Sequence, residues 1–107
     1  MRIDNLHQYS THRLVFPLTV NGLPVNSLIN AKFEISDSQG VLVSINMEDN
    51  PSEVYFSEST LSIILTSINT IGLTGNYTYE VWVKLADDNP YIVRSGAIQF
   101  NKTKVRF

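Results

Sequence analysis

Apolar residues recur at every second position through most of this chain, and this period of two restricts the fold more than any other feature. The pattern holds from Leu14, again from Ala31, and most clearly from Tyr77. Successive side chains of a β-strand point to opposite faces, so the pattern predicts strands with one buried and one exposed face. Only residues 67–73, SINTIGL, could form a helical turn. The sequence therefore predicts an all-β fold.

The predicted strands turn apolar side chains towards a common core. These inward-facing residues are Leu14, Phe16, Leu18, Val20, Ala31, Phe33, Ile35, Val41, Val43, Ile45, Met47, Tyr77, Tyr79, Val81, Val83 and Leu85. Further short strands are predicted in EVYFS and LSIILT, and a last one in YIVRSGAIQF, where Gly96 indicates a bulge or a close backbone approach. Short strands at intervals of about 10 to 12 residues are typical of a β-sandwich.

Turn and breaker residues separate the predicted strands. Asn21 and Gly22 both tolerate a positive φ and predict a tight turn. Residues 37–40 predict a hairpin between two neighbouring strands. Pro17 has no N–H group to donate, so its strand should lie at a sheet edge or contain a bulge.

The strand that contains Tyr77 also carries two aromatic features of interest. Leu73, Gly75 and Tyr77 have the spacing of a tyrosine corner, in which the Tyr hydroxyl bonds back to the preceding connection. The alternative is that Tyr77 is an ordinary half-buried aromatic residue. Trp82 stands among polar residues on the opposite face of the strand. It either covers an edge of the core with its N–H group satisfied or anchors a protein interface.

Length and composition fit one domain and exclude several classes of protein. The chain has 107 residues, of which 43% are hydrophobic and 17% charged, and it contains no cysteine for a disulfide or a thiolate site. Its net charge of −2 excludes the strongly basic surface of a general nucleic-acid-binding protein. No apolar run approaches the roughly 18 residues that span a bilayer, and no secretory signal is recognisable, so we expect a cytoplasmic product without membrane contact. We divide the chain into an N-terminal arm (1–11), a sandwich (12–100) and a basic C-terminal strand or tail (101–107).

The sequence offers little for catalysis or metal binding. His7 and His12 lie near Asp4, but their spacing matches no zinc motif, and a catalytic triad is defined by geometry rather than by composition. The paired carboxylates at 48–49 and 87–88 point apart and fall in predicted loops. We therefore expect no enzyme activity, no catalytic residue, no cofactor and no metal ion.

Three short motifs follow one another along the chain. They are G-x-P-V, at Gly22, Pro24 and Val25, ahead of the strand with Ala31, Phe33 and Ile35; L-x-G-x-Y-x-Y-E, at Leu73, Gly75, Tyr77, Tyr79 and Glu80; and G-x-I, at Gly96 and Ile98. In this order they resemble the immunoglobulin-like β-sandwich of tailed-bacteriophage structural proteins, such as the N-terminal domain of baseplate upper proteins and related tail or fibre-attachment modules. The resemblance covers residues 14–100 and implies a single immunoglobulin-like antiparallel β-sandwich of seven to eight strands.

The resemblance also implies a virion structural protein, made in the host cytoplasm, that acts through protein–protein contacts. Baseplate upper proteins continue into a helical or fibrous region, whereas this chain stops at Phe107, so we expect a tail or baseplate adaptor, or a fibre-attachment module, rather than a shaft. One alternative is a capsid decoration or head–tail collar protein. Another is a carbohydrate-binding module that uses Tyr55, Tyr91 and Trp82 as an aromatic platform.

The expected partners are other virion proteins, with copies of the chain arranged as a homo-oligomer or a symmetric multi-copy assembly and without nucleic acid or membrane. Acidic residues dominate between Glu34 and Asp88, and basic residues dominate towards both ends of the chain, so one end of the domain should be positive. We expect the contact residues in the arm, in the tail and at the single tryptophan: Arg2, His7, Tyr9, Trp82, Lys102, Lys104, Arg106 and Phe107.

Overall fold

The computed structural model of the chain describes residues 2–103, which form ten strands and one short helix. A five-stranded sheet has the spatial order β1 (Arg2–His7), β10 (Pro90–Asn101), β9 (Gly75–Lys84), β5 (Asn30–Asp37) and β6 (Gly40–Asn46). A three-stranded sheet has the order β2 (His12–Pro17), β8 (Thr60–Leu65) and β7 (Val54–Ser57). The remaining elements are a hairpin of β3 (Thr19–Val20) and β4 (Leu23–Pro24), and the helical turn α1 (Ser67–Thr70). The prediction of an all-β chain is confirmed. The strands outnumber the predicted seven to eight because β3 and β4 are only two residues each and β1 lies in the predicted arm.

An aromatic cluster joins the two sheets across the hydrophobic core. Phe16 on β2 packs against Phe33 on β5 and Tyr79 on β9, with ring centroids 6.1 and 6.0 Å away, and Phe33 and Tyr79 stack at 5.9 Å. These separations are typical of favourable aromatic pairs. The inward-facing residues predicted from the alternation are buried or partly buried, with one exception, Val41.

Val41 is exposed because a β-bulge interrupts the alternation of β6. Ile35 pairs with Val43 and Ser36 pairs with Val41, so Leu42 is an extra residue on β6. A bulge places two residues opposite one and changes which side chains face the core. The prediction that Val41 faces inward is therefore wrong.

A second bulge lies in β10, three residues before the position suggested by the sequence. Ile92 pairs with Trp82 and Arg94 pairs with Val81, which leaves Val93 as the extra residue. Gly96 pairs with Tyr79 without a register shift. The bulge expected at Gly96 is therefore at Val93.

The predicted N-terminal arm contains a strand of the larger sheet. β1 runs parallel to β10, with Arg2 opposite Ala97 and His7 opposite Asn101, and all other strand pairs of the described residues are antiparallel. The segment RIDNLH does not have the apolar alternation of a strand, and only Leu6 in it is buried. Backbone pairing with β10, rather than an apolar face, stabilises it. At the other end β10 stops at Asn101, and residues 104–107 of the predicted tail lie outside the described residues.

Tight turns set the strand register as predicted. Asn21 and Gly22, with φ of 53° and 79°, form the two-residue turn between β3 and β4. In the hairpin between β5 and β6, the Gln39 N–H group donates to Asp37 Oδ1 at 2.7 Å. Pro17 is the last residue of β2, which is an edge strand of the three-stranded sheet. The predicted helical turn is α1, which begins with a capping box between Thr66 and Asn69.

Candidate functional site

Trp82 lies on the outer face of the five-stranded sheet, two residues before the end of β9. Its chain neighbours Val81 and Val83 are buried in the core, so the alternation of the strand directs Trp82 outwards. Cross-strand pairing places Ile92 on one side of Trp82 and Lys32 on the other. These three residues form a row across β10, β9 and β5.

Polar contacts hold the indole ring of Trp82 in place. Its Nε1–H group donates to Glu80 Oε1 at 3.3 Å, and the ammonium group of Lys32 lies 5.5 Å from the ring centroid, within cation–π range. Lys32 Nζ is also 3.4 Å from Glu34 Oε2. A ring fixed in this way loses little conformational freedom when a partner covers it.

A shallow pocket of about 330 Å³ opens beside Trp82, where β9 turns into β10. Its wall includes Trp82, Pro90 and the ion pair between Lys84 and Asp88, whose charged atoms are 3.2 Å apart. Ile92, which adjoins Trp82, leaves 49% of its surface exposed. We call Trp82, Ile92, Lys32, Lys84 and Pro90 the Trp82 patch. It combines an oriented tryptophan ring, a residue type enriched in interface hot spots, with an exposed aliphatic side chain and two lysines.

The tyrosine-corner residues make the hydrogen bonds that their spacing predicts. The Tyr77 hydroxyl donates to the Thr74 carbonyl oxygen at 2.9 Å and accepts the Thr74 N–H at 2.9 Å. Gly75 has a φ of 100°, a conformation that a residue with a Cβ atom rarely adopts. Leu73 is buried, and the Tyr77 ring packs edge-on against Phe100 at 6.3 Å. The corner fixes the start of β9 and thereby the strand that carries Trp82.

The predicted terminal contact residues lie apart from Trp82. His7 is exposed and pairs with Asn101, which precedes exposed Lys102, and half-buried Tyr9 follows two residues after His7. Arg2 spans the outer face of the sheet, with Nε 2.6 Å from Asp4 Oδ1 and further hydrogen bonds to the side chains of β9 and β10. Lys104, Arg106 and Phe107 lie outside the described residues.

The length of β10 separates these residues into two surfaces. His7 pairs with Asn101, whereas Trp82 pairs with Ile92, nine positions earlier on the same strand. At about 3.3 Å per residue the two pairs are roughly 25 to 30 Å apart. A small contact cannot include both His7 and Trp82.

The basic residues that the structure describes are not gathered at one end of the domain either. Lys32 lies beside Trp82, and Lys102 follows the opposite end of β10. Arg94 lies between these ends, with Nη2 donating to the Pro17 carbonyl oxygen at 3.4 Å. The expected positive end is therefore not found among residues 2–103, because Lys32, near the start of β5, and Lys102, after the end of β10, lie at opposite ends of the sheet.

The side chains of His7 and His12 lie against each other, but a backbone hydrogen bond occupies Nε2 of His12. Their rings stack with centroids 6.4 Å apart, and the His7 N–H donates to His12 Nε2 at 2.9 Å. Within residues 2–103 there is no group of three His, Cys, Asp or Glu side chains that could hold a metal ion.

The three aromatic residues considered for sugar binding do not share a face. Tyr55 pairs with Ser62 and lies on the outer face of the three-stranded sheet, on the far side of the molecule from Trp82. Tyr91 pairs with buried Val83, and its hydroxyl donates to Asp87 Oδ2 at 2.9 Å. The predicted aromatic platform is therefore absent.

Asp87 and Tyr91 shift the acidity of each other at the turn between β9 and β10. The Asn89 N–H group, 3.0 Å from Asp87 Oδ1, and then the Tyr91 hydroxyl hold the pKa of Asp87 below its usual 3.8. The hydrogen bond to Asp87, together with its charge, raises the pKa of Tyr91 above 10.0. These contacts order the turn at the edge of the Trp82 patch.

Two features of the surface were not predicted from the sequence. Ile92 faces outwards beside Trp82 because the bulge at Val93 shifts the alternation of β10. Val15 and Tyr55 are exposed on the outer face of the three-stranded sheet, in one row with Ser62. The alternation indicates that each residue faces outwards, but only the strand order brings them together.

Comparison with known proteins gives structural likeness alone. No protein-family model and no curated protein sequence matches the chain. A protein of Bacteroides vulgatus ATCC 8482, described as a "putative glycoside hydrolase", matches with a TM-score of 0.54 and 13% identity over 92% of this chain. The matched part is 16% of that protein, so the chain spans about one sixth of its length and the likeness concerns the fold only. The structure of murine CRIg matches with a TM-score of 0.38 and 15% identity, over 92% of this chain and 89% of CRIg.

Among residues 2–103, no helix is long and apolar enough to cross a membrane.

Proposed function

We propose that the chain is a non-enzymatic structural module of a tailed-phage virion, and that it acts as a tail or baseplate adaptor that binds another virion protein through the Trp82 patch. The link to phage rests on the three short motifs of the sequence. The contact surface rests on the geometry of Trp82, Ile92 and Lys32.

Strand order supports the immunoglobulin-like part of the proposal. The order β2-β8-β7 corresponds to strands B, E and D of that fold, and β10-β9-β5-β6 corresponds to G, F, C and C′. The tyrosine corner of this fold occurs near the start of strand F, and Tyr77 lies near the start of β9. The G-x-P-V motif supplies the turn and strand of the β3–β4 hairpin, so the motifs that resemble phage proteins are also those that shape the fold.

The single observation that carries the proposed contact is the row of Ile92, Trp82 and Lys32. A tryptophan whose ring is held by Glu80 and Lys32, next to an exposed isoleucine, has the properties of an interface hot spot. Truncation of such a residue typically costs about 2 kcal/mol or more of binding free energy, which is roughly a thirtyfold loss of affinity.

Symmetric copies would strengthen a modest single contact. A tail or baseplate ring presents several identical docking positions, and simultaneous contacts raise the overall avidity without new interactions. The same module could instead decorate the capsid or sit at the head–tail collar. Copy number separates these locations, because a capsid decoration protein is present in far more copies than a protein of a tail ring.

The test is incorporation of variants into particles, measured by quantitative mass spectrometry relative to the major capsid protein. We expect Trp82→Ala to lower incorporation at least tenfold, whereas Ile68→Ala, which removes an exposed apolar side chain from α1, should leave it unchanged. Thermal unfolding of both variants checks that the fold is intact. Normal incorporation of a folded Trp82→Ala variant would exclude the Trp82 patch as the docking surface.

A further inference from the structure

The edge strand β6 is poorly protected against pairing with a further strand. Edge strands are usually shielded by charged side chains, by proline or by short length. Within residues 2–103, β1 and β2 carry charged residues and β7 has only four residues, between Glu53 and Glu58, whereas β6 has the uncharged sequence GVLVSIN. Val41 and Leu42 of β6 leave 54% and 48% of their surfaces exposed. Of these four edges, β6 is therefore the one best suited to accept another strand.

The backbone of β6 has hydrogen-bonding groups that such a strand can use. The Asn46 N–H donates to Asn50 Oδ1 at 3.2 Å, and the Asn46 carbonyl oxygen accepts the Asn50 N–H at 2.8 Å, so both groups of Asn46 point away from β5. Alternate residues of an antiparallel strand direct these groups to the same side, so those of Ser44 also point away from β5. Within residues 2–103, the two Ser44 groups form no backbone hydrogen bond on that side. The bulge at Leu42 precedes this position, and the rest of β6 pairs regularly with β5.

The side chains of β6 determine what an added strand must carry. Val43 and Ile45 face the core, so residues beside them should be apolar. Ser44 faces outwards, where its Oγ donates to Glu34 Oε2 at 3.3 Å, and Glu34 lies opposite Glu80. Basic side chains beside Ser44 can reach these carboxylates across the small serine. The edge therefore fits a segment in which basic and apolar residues alternate.

The last six residues of this chain have such a pattern. Residues 102–107, KTKVRF, carry a basic residue at every second position, with Val105 and Phe107 among the others. In an extended segment, Lys104 or Arg106 beside Ser44 puts Val105 beside the core-facing residues of β6. The segment is thus complementary to the β6 edge in both charge and apolar character.

The segment that pairs with β6 must come from another copy of the chain. β9, β5 and β6 separate β10 from the position beyond the β6 edge, so this position is four strand spacings, or about 19 Å, from β10. The six residues after Asn101 span at most about 22 Å, so no more than the last residue of a chain reaches its own β6 edge.

We propose that the β6 edge binds residues 102–107 of a second copy of the chain as an added β-strand. Backbone hydrogen bonds to Ser44 contribute affinity, and the alternate side chains contribute specificity. The edge and the segment are different surfaces, so the contact is head-to-tail and joins copies into a ring or an open chain. It does not include Trp82, and so it goes beyond the proposed docking contact.

A contact of so few residues is weak for one pair of chains. We expect a dissociation constant of roughly 100 μM to 1 mM, and weaker binding as salt screens the basic residues from Glu34 and Glu80. In a closed ring every copy uses both its edge and its segment, so the contacts reinforce one another.

An NMR titration tests the contact directly. The isotope-labelled full chain, at roughly 50 μM, is titrated to about 3 mM with a peptide of residues 102–107, acetylated at its N-terminus. We expect saturable shifts of the amide signals of Ser44 and its neighbours on β6. A peptide of the same composition with its three basic residues adjacent should bind at least fivefold more weakly. Absence of shifts, or shifts confined to other strands, would overturn the proposal.

A matched pair of serine substitutions tests the edge. Ser44→Lys places a cation beside Glu34 and repels the basic peptide, so it should raise the dissociation constant at least tenfold. Ser57→Lys changes an exposed serine of β7, the edge strand of the other sheet, and should leave peptide binding unchanged. Thermal unfolding checks that both variants fold. Equal effects of the two substitutions would contradict docking at β6.

Mixing of full-length variants tests the head-to-tail arrangement. In sedimentation equilibrium from roughly 50 μM to 2 mM at low salt, the wild type should associate, whereas Ser44→Lys and Lys104→Glu/Arg106→Glu should each remain largely monomeric. Their equimolar mixture should form heterodimers, because one variant keeps the segment and the other keeps the edge. A folded wild type that stays monomeric throughout, or a mixture that does not associate, would overturn the proposal.

Discussion

Glu34 lies directly opposite Glu80 on the neighbouring strand, with both carboxylates on the outer face of the five-stranded sheet. Different donors hold the two groups. Lys32 Nζ lies 3.4 Å and Ser44 Oγ 3.3 Å from Glu34 Oε2, while the Trp82 Nε1–H group donates to Glu80. Like charges directly opposite one another on a sheet oppose folding, so orientation of Trp82 has a cost in stability.

Replacing Glu80 with Gln should therefore stabilise the domain. Glu80→Gln keeps an oxygen that can accept the Trp82 N–H and removes the repulsion from Glu34, so we expect the free energy of unfolding to rise by about 0.3 to 0.8 kcal/mol at low salt. Urea denaturation at low and high salt measures the effect, which salt should reduce. Glu58→Gln, in an exposed turn, is the control and should change little. A loss of stability in Glu80→Gln at both salt concentrations would contradict the repulsion.

Tyr79 has a buried hydroxyl group that forms no hydrogen bond within residues 2–103. Its side chain is only 1% exposed, and a buried hydroxyl without a partner opposes folding. Tyr79→Phe should raise the free energy of unfolding by about 1 kcal/mol in chemical denaturation. Burial also raises the pKa of Tyr79 above 10.0 despite the nearby charge of Arg94. The unfolded chain therefore loses the Tyr79 proton near pH 10.0, whereas the folded chain keeps it to a higher pH. As pH rises above 10.0, the wild type should lose stability more steeply than the Phe variant.

The tyrosine corner should contribute measurably to stability. Tyr77→Phe removes the hydroxyl that bonds both the N–H and the carbonyl group of Thr74, and we expect a loss of about 1 to 2 kcal/mol. Tyr55→Phe alters an exposed hydroxyl on the other sheet and serves as the matched control. If chemical denaturation gives equal stabilities for the two variants, the corner contributes nothing.

The turn between β7 and β8 places two ordinary residues in a conformation that favours glycine. Glu58 and Ser59 have φ of 51° and 60°, the left-handed region also occupied by Asn21 and Gly22 in the β3–β4 turn. Replacing Glu58 and Ser59 with Asn and Gly should stabilise the domain by about 1 kcal/mol, because Asn-Gly suits this turn type. The converse change, Gly22→Ser, should destabilise it. Thermal unfolding measures the stability of both variants. If both changes shift stability in the same direction, Glu58 and Ser59 are not strained in this turn.

Acid titration of Asp87 separates its two hydrogen-bond donors. Tyr91→Phe removes one donor, so the pKa of Asp87 should rise but remain below 3.8, since the Asn89 N–H group still stabilises the carboxylate. The contribution of Asp87 to stability is present above the unfolded pKa of 3.8 and is lost as pH falls through the lower folded value. The variant should therefore lose this contribution at a higher pH. Carboxyl chemical shifts measured by NMR follow the change directly, and an unchanged pKa would exclude the Tyr91 contact in solution.

The alternation of side chains was sufficient to predict most strands and their buried faces. The runs from Leu14, Ala31 and Tyr77 were identified because each pairs a continuous apolar face with turn residues at both ends. The bulges at Leu42 and Val93 were not found, because an extra residue changes the register without a distinctive residue type. β1 was missed because its stability comes from backbone pairing with residues more than 90 positions away.

The sequence predicts single residues of the candidate site but not which of them are neighbours in the structure. The sequence indicates that Trp82 faces outwards, because Val81 and Val83 are apolar. It does not indicate that Lys32 and Ile92 are its neighbours, since this depends on the spatial order β10-β9-β5. For the same reason the sequence does not indicate how far His7 lies from Trp82, which depends on its pairing near the far end of β10.

The parallel pairing of β1 with β10 has a consequence for folding during synthesis. Arg2 pairs with Ala97, so β1 is synthesised long before β10 and must wait for that strand before it can join the sheet. Until β1 pairs with β10, the edge of the sheet that β1 covers is exposed. Neighbouring chains on one polysome could then exchange their β1 strands. Contacts this distant in sequence also slow folding, because a long loop must close before they form.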